Sequence, residues 1–189
     1  IIDKDGIHMD TNKVEAMMKW PSPKTPIEAK RFLGLASYMR KFVAHFSDIA
    51  RPLHRYAARK EPWGTAQDIA FKELKVELSS NRVLQPFDGT KTIRVTTDAS
   101  KEAIGAVMEL VDENNKVIGP TGYMSKALTG YQLNWPIRDK ELFAILVALK
   151  TWKHYLKGRQ FQLHTDHKSL ETVMRGENLS DRVQGWMST

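Results

Sequence analysis

Between residues 92 and 166 the chain runs through an alternating stretch, two further strand-like stretches, one long helical stretch and a second alternating stretch. That order leaves few folds open. In IRVTTDAS (93–100), Ile93, Val95 and Thr97 alternate with polar neighbours, and the run reaches Asp98. IGAVMELV (104–111) and VIGPTGYMS (117–125) follow, separated by the polar turn DENNK. Strands this close in sequence predict an antiparallel meander. A helix is then expected from Pro136 to Leu156, with Leu142, Ile145, Leu146, Leu149, Trp152 and Leu156 as its apolar stripe and Gly158 as its stop. In FQLHTDHKSL (161–170), Phe161, Leu163 and Thr165 alternate again and lead into Asp166. A strand that returns through a helix pairs in parallel, so the sheet must be mixed, with helices packed on it. A short helix from Lys168 to Met174 and a last helical pattern at Val183, Trp186 and Met187 complete the reading.

The first ninety residues carry the helical period instead. Asp10 or Thr11 caps a helix that runs to Trp20 and is stopped by Pro21 and Pro23. Thr25 as N-cap, Pro26 at the first helical position and Glu28 three residues on form a capping-box signature. Phe32, Leu35, Met39, Phe42 and Phe46 then recur at helical spacing, with Arg31, Arg40 and Lys41 beside the stripe. Gly34 inside that pattern predicts close packing against a neighbour. The tract ARKEPWG reads as a loop, and a further helix is expected from Thr65 to Ser79.

Composition narrows the function. The chain has no cysteine, which excludes disulfides, zinc–thiolate sites and thiol nucleophiles. No run approaches the roughly 18 uncharged apolar residues of a membrane span. The opening IIDKDGIHMD lacks the basic head and apolar block of a signal peptide. It also lacks an initiator Met, as an excised piece of a longer chain would. The net charge is +7, and the segment from Lys24 to Lys60 holds nine Lys or Arg against two acids, Glu28 and Asp48. A polyanion such as nucleic acid fits that segment, and so does an ordinary solvated helix face.

The two strand-end aspartates raise the sharper question. Glu141 adds a third acid beside the buried stripe of the long helix, where a bare charge is costly. Three carboxylates on one patch need a cation between them. Oxygen donors without a His or Cys cluster point to Mg²⁺ or Mn²⁺. Paired ions about 4 Å apart suit in-line phosphodiester cleavage. By spacing alone, however, an Asp at a strand end is more often a helix cap or turn former, and Glu141 can simply favour the helix dipole.

Longer stretches carry a resemblance. VEAMMKWPSPKTPIEAKRFLGLASYMRKFVAHFSDIARPL (14–53) closely resembles the segment after the polymerase palm in gypsy-type long-terminal-repeat retrotransposon polyproteins. TTDASKEAIGAVM, YMSKALTGYQLNWPIRDKELFAILVALKTWKHYLKGRQF and LHTDHKSL are similar to the ribonuclease H domain of the same polyproteins. Together they cover nearly the whole chain. The resemblance implies an α/β fold: a helical N-terminal thumb and connection segment (1–90), then a ribonuclease H-like mixed β-sheet with packed helices (91–189), incomplete at the C-terminus. The family's catalytic acids carry over onto Asp98, Glu141 and Asp166, as ligands of two Mg²⁺ or Mn²⁺ ions. Its nucleic-acid contacts carry over onto Arg138, His167 and Lys168, with Arg31, Arg40 and Lys41 along the duplex; for Arg138, His167 and Lys168 an ordinary helix-start cluster is the competing reading. Trp152, with Lys153 and His154, could form a duplex-facing strip but fits the core better.

The implied partners are an RNA/DNA hybrid and the polymerase fingers and palm of the same polyprotein. No membrane is involved, and an oligomer stays open. The implied setting is a cytoplasmic virus-like particle, with the nucleus second. Two departures stand out. No YxDD-like polymerase sequence occurs. The family's further strand, helix and fourth metal-binding aspartate are not matched, and Asp181 is no obvious substitute. An endonuclease cutting the RNA strand of hybrids is therefore the leading expectation. The alternatives are an inactive duplex-binding remnant, whose affinity would fall steeply with salt, and a repurposed fragment serving a protein partner.

Overall fold

The computed structural model describes residues 1–80 and 82–166. A small hairpin, β1 (Ile2–Asp3) and β2 (Gly6–Ile7), opens the chain. Helices α1 (Thr11–Met18) and α2 (Pro26–Tyr38) follow, then a 3₁₀ turn (Arg40–Phe42), α3 (Phe46–Ala57) and α4 (Thr65–Ser79). The caps are those the sequence specifies. Asp10 accepts the backbone N–H of Asn12, and Thr25 Oγ1 accepts that of Glu28 at 3.2 Å. The reciprocal arm of the capping box lands one residue early: Glu28 Oε2 accepts the Lys24 N–H at 2.8 Å.

Two expectations for this half are corrected. The stripe from Phe32 to Phe46 is not one helix. It breaks at Met39, turns through the 3₁₀ segment and resumes as α3, where Phe46, Ala50, Leu53 and Ala57 are buried at helical spacing. Pro52 inside α3 masks that helix in the sequence, because proline removes an interior N–H. Gly34 is also not a packing glycine. A Cβ there would meet nothing within 4 Å among the described residues, since the buried side of α2 is formed by Ala29, Phe32, Leu33 and Ala36.

Phe32 lies 4.7 Å from Phe71 and 6.1 Å from Trp20, ring to ring, in a core that also takes Met17, Leu53, Leu74 and Leu78. Leu84 belongs to this core and pairs with Ile7, whereas Phe87 already packs with the sheet.

The sheet contains β3 (Thr92–Ala99), β4 (Ala103–Val111), β5 (Val117–Ala127) and β6 (Phe161–Thr165), in the order β5-β4-β3-β6. The meander is antiparallel, and β6 returns parallel to β3, with Ile93 opposite Phe161 and Thr97 opposite Thr165. The crossover is α5 (Ile137–Thr151), which lays Ala148 on Ile93, Val95 and Met108. The expected single helix to Leu156 is two pieces. It breaks at the buried Trp152, which keeps its ring in the core, and α6 (Lys153–Leu156) carries Leu156 into the same cluster. Gly158 ends it at φ +74°, a conformation that suits glycine. Among the described residues no helix is long and apolar enough to cross a membrane.

The helical segment is bound to the meander by polar ties. Ser47 N–H donates to Ser125 Oγ at 2.9 Å, and Arg40 donates to the Ser125 carbonyl. Ser100 Oγ donates to Asp48 Oδ1 at 2.9 Å, and Arg51 pairs with Glu102.

Candidate metal centre

The parallel register that sets Thr97 beside Thr165 sends Asp98 and Asp166 to the same end of the sheet. Both carboxylates are exposed. Glu141 reaches them from the first turns of α5 and is itself only 3% exposed. One oxygen from each of the three lies within 4.8 Å of the others. Glu141 Oε1 accepts the Ala99 N–H at 3.1 Å, which fixes the carboxyl against β3. Its other oxygen, Oε2, is buried without a hydrogen-bond partner among the described residues.

Burial, then the charges of Asp166 and Asp98, push the Glu141 carboxyl up to about 7, against the opposing pull of the Ala99 N–H. An acid in that state is half-protonated near neutrality. A buried carboxyl with one unpartnered oxygen, within 4.8 Å of two further carboxylates, is a donor set that fits a hard divalent cation.

A neighbouring lysine holds the frame. Lys140 is 5% exposed, and its Nζ donates to the carbonyls of Lys101 at 2.6 Å and Leu133 at 2.9 Å. It thereby ties α5 to the turn after Asp98 and to the 3₁₀ segment Gly130–Asn134. Lys140→Met leaves both carbonyls without this donor. It is expected to lower the unfolding free energy by about 2 kcal/mol in a denaturant titration and to weaken metal binding.

The basic candidates have separate fates. Arg138 is half-buried, one helical turn before Glu141, with Nε 4.0 Å from the buried Asp139. Arg31 is exposed on α2. Lys41 is exposed, with Nζ 5.3 Å from the Phe42 ring centre. Arg40 is committed to Ser125 and lies 5.5 Å from the Phe46 ring. His167, Lys168, Asp181 and the two last helical patterns lie outside the described residues. Two residues near the centre escaped the sequence reading. Lys140 does carry a signal, since it lies four residues before Ala144 on the same face of α5. His45 carries none, because only the tertiary fold brings it to β4.

A meander, a helical crossover and a parallel return strand, with an acid delivered by each of β3, α5 and the end of β6, define an RNase H-like domain. The chain belongs to the family described as RNase H-like domain found in reverse transcriptase, which matches residues 88–189, more than half of its length. It is 34% identical over 189 residues to the retrovirus-related Pol polyprotein from transposon 297 of Drosophila melanogaster, covering 98% of this chain and 17% of that protein. It is 35% identical over 173 residues to the transposon Tf2-3 polyprotein of Schizosaccharomyces pombe, covering 89% of this chain and 13% of that protein. The gypsy-type resemblance is consistent with both, and the chain spans less than a fifth of either.

The fold is shared with foamy viral protease-reverse transcriptases. One, termed dRH and in complex with double-stranded DNA, gives a TM-score of 0.79 at 20% identity, over 99% of this chain and 34% of that one. Another, in complex with RNA/DNA hybrid, gives 0.77 at 22% identity, over 99% and 26%.

Proposed function

We propose that this chain is the nuclease part of a retrotransposon reverse transcriptase, a metal-dependent endonuclease that hydrolyses the RNA strand of RNA/DNA hybrids. The observation that carries the reading is the meeting of Asp98, Glu141 and Asp166 within 4.8 Å on an RNase H-like sheet. These three would hold Mg²⁺ or Mn²⁺, two ions in the full site. Bound there, the ions would supply the charge neutralisation and water activation that phosphodiester hydrolysis needs.

The protein's own groups do the rest. The Ala99 N–H keeps Glu141 oriented against β3 and leaves its other oxygen unpartnered among the described residues. Arg138, Lys168 and His167 would contact the strand near the acids. Arg31 and Lys41, with Arg40 behind them, would give the helical segment a positive face for the duplex. Recognition would rest on duplex shape and 2′-hydroxyls, since A-form geometry hides base identity. One of the foamy viral proteins of this fold is described in complex with an RNA/DNA hybrid, which supports that substrate class. Polymerase fingers and palm of the same polyprotein would be the protein partner, in a cytoplasmic particle or the nucleus, and an oligomer would be compatible.

The test is cleavage of a labelled hybrid in Mg²⁺ or Mn²⁺, with Asp166→Asn as control. Cutting confined to the RNA strand and lost in the variant is the expected result. A folded protein that binds the hybrid in a salt-dependent way without cutting it would instead be a duplex-binding remnant.

A further inference from the structure

The helical segment approaches the acidic centre at His45. This residue sits at the N-cap position of α3 with φ +52°, in the left-handed region that non-glycine residues enter uncommonly, Asn, Asp and His more often than the rest. Residues held there cost free energy and persist where the surroundings or a function require them. Capping does not account for it, because the side chain makes no capping hydrogen bond. Nor does a side-chain hydrogen bond or ion pair elsewhere: none involves the ring among the described residues. The ring is exposed and lies against Gly105, with Nδ1 3.4 Å from where a Cβ would stand. Gly105 is the cross-strand partner of Asp98.

His45 and Asp98 therefore line one open cleft of about 150 Å³, together with Thr96, Gly105, Val107 and Tyr123. This is the size of a single ring, and a cavity of that volume takes a benzene-sized group. Its lining includes both His45 and Asp98, one of the three acids of the centre. In either neutral tautomer the imidazole offers one N–H donor, the group that a phosphate oxygen or a sugar hydroxyl needs.

We infer that His45 is a contact for the nucleic-acid strand entering the acidic centre, with one sugar ring in the cleft and the imidazole donating to its phosphate or hydroxyl. The helical segment then completes the substrate site rather than only flanking it. The inference rests on the nuclease reading above and adds a residue from outside the matched family region.

His45→Asn separates the roles. Asparagine tolerates the left-handed conformation, so the turn stays while the imidazole is lost. Binding of a labelled RNA/DNA hybrid is measured in Mg²⁺ by fluorescence anisotropy, for Asp166→Asn and for Asp166→Asn with His45→Asn. The expected result is a dissociation constant at least fivefold weaker in the double variant, at an unchanged melting temperature. In the otherwise native protein the loss should fall on KM rather than kcat, a split that a merely structural role would not produce. Equal affinity in the two variants overturns the assignment of His45 and leaves the nuclease reading standing. No hybrid binding by Asp166→Asn itself overturns both.

Discussion

Asp98→Asn is expected to reduce hybrid cleavage by about a thousandfold or more while the protein remains folded. The fold should tolerate it because Asp98 is exposed and its side chain is a partner in no hydrogen bond or ion pair among the described residues. Its backbone stays paired with Gly105, so the strand does not depend on the charge. What the substitution removes is one of three anionic oxygens that together can hold a divalent cation. It also removes a charge that raises the Glu141 pKa, so Glu141 should titrate lower in the variant. Cleavage assays beside a metal titration by calorimetry would check the effect. Near-native cutting would exclude Asp98 from the centre.

Glu141→Gln should act in the opposite direction on stability when metal is withheld. The folded carboxyl titrates near 7, above its ordinary value of 4.5. Between those values the folded state binds more protons than the unfolded chain, so stability falls as pH rises through this window. The penalty is absent below about pH 4.5 and complete above about pH 7. At pH 8 in chelator the glutamine variant is expected to be more stable than the native protein by about 2 kcal/mol, and the gain should vanish at pH 4. Glutamine can still accept the Ala99 N–H, so the local bond survives. Saturating Mg²⁺ should reverse the order by stabilising only the native protein. Denaturant midpoints at the two pH values, with and without metal, test every part. A gain at pH 4 equal to that at pH 8 would contradict the electrostatic origin.

Much of this could be read from residue periodicity. The bounds of α4, the meander and the parallel return of β6 follow from Thr65, the DENNK turn and the alternation at 161–165, because local pattern and burial agree there. The approach of Asp98, Asp166 and Glu141 was legible in part: period set two acids at strand ends and one beside a helix stripe, and the family resemblance joined them as one ligand set. Three features were not. The bend between Met39 and Phe46 keeps the same apolar spacing as a continuous helix, so the break is invisible in the pattern. Gly34 looks like a packing glycine, yet among the described residues nothing packs against it. His45 meets Gly105 across sixty residues of chain, and no local rule predicts a contact of that range.

The parallel pairing of β3 with β6 also sets an order of events during folding. Ile93 and Phe161 are 68 positions apart, whereas β3, β4 and β5 close through short turns. Closing the longer loop costs more chain entropy, so the meander should be protected from hydrogen exchange before β6 docks. Pulse-labelling during refolding would reveal this, and simultaneous protection would refute it. Asp166 follows the last of these strands and therefore joins the other two acids late. The mutual repulsion of the cluster is deferred until most of the hydrophobic burial that can withstand it is complete. A nascent chain can thus collapse before its three acids meet, and the site proposed for a cation is assembled only when β6 docks.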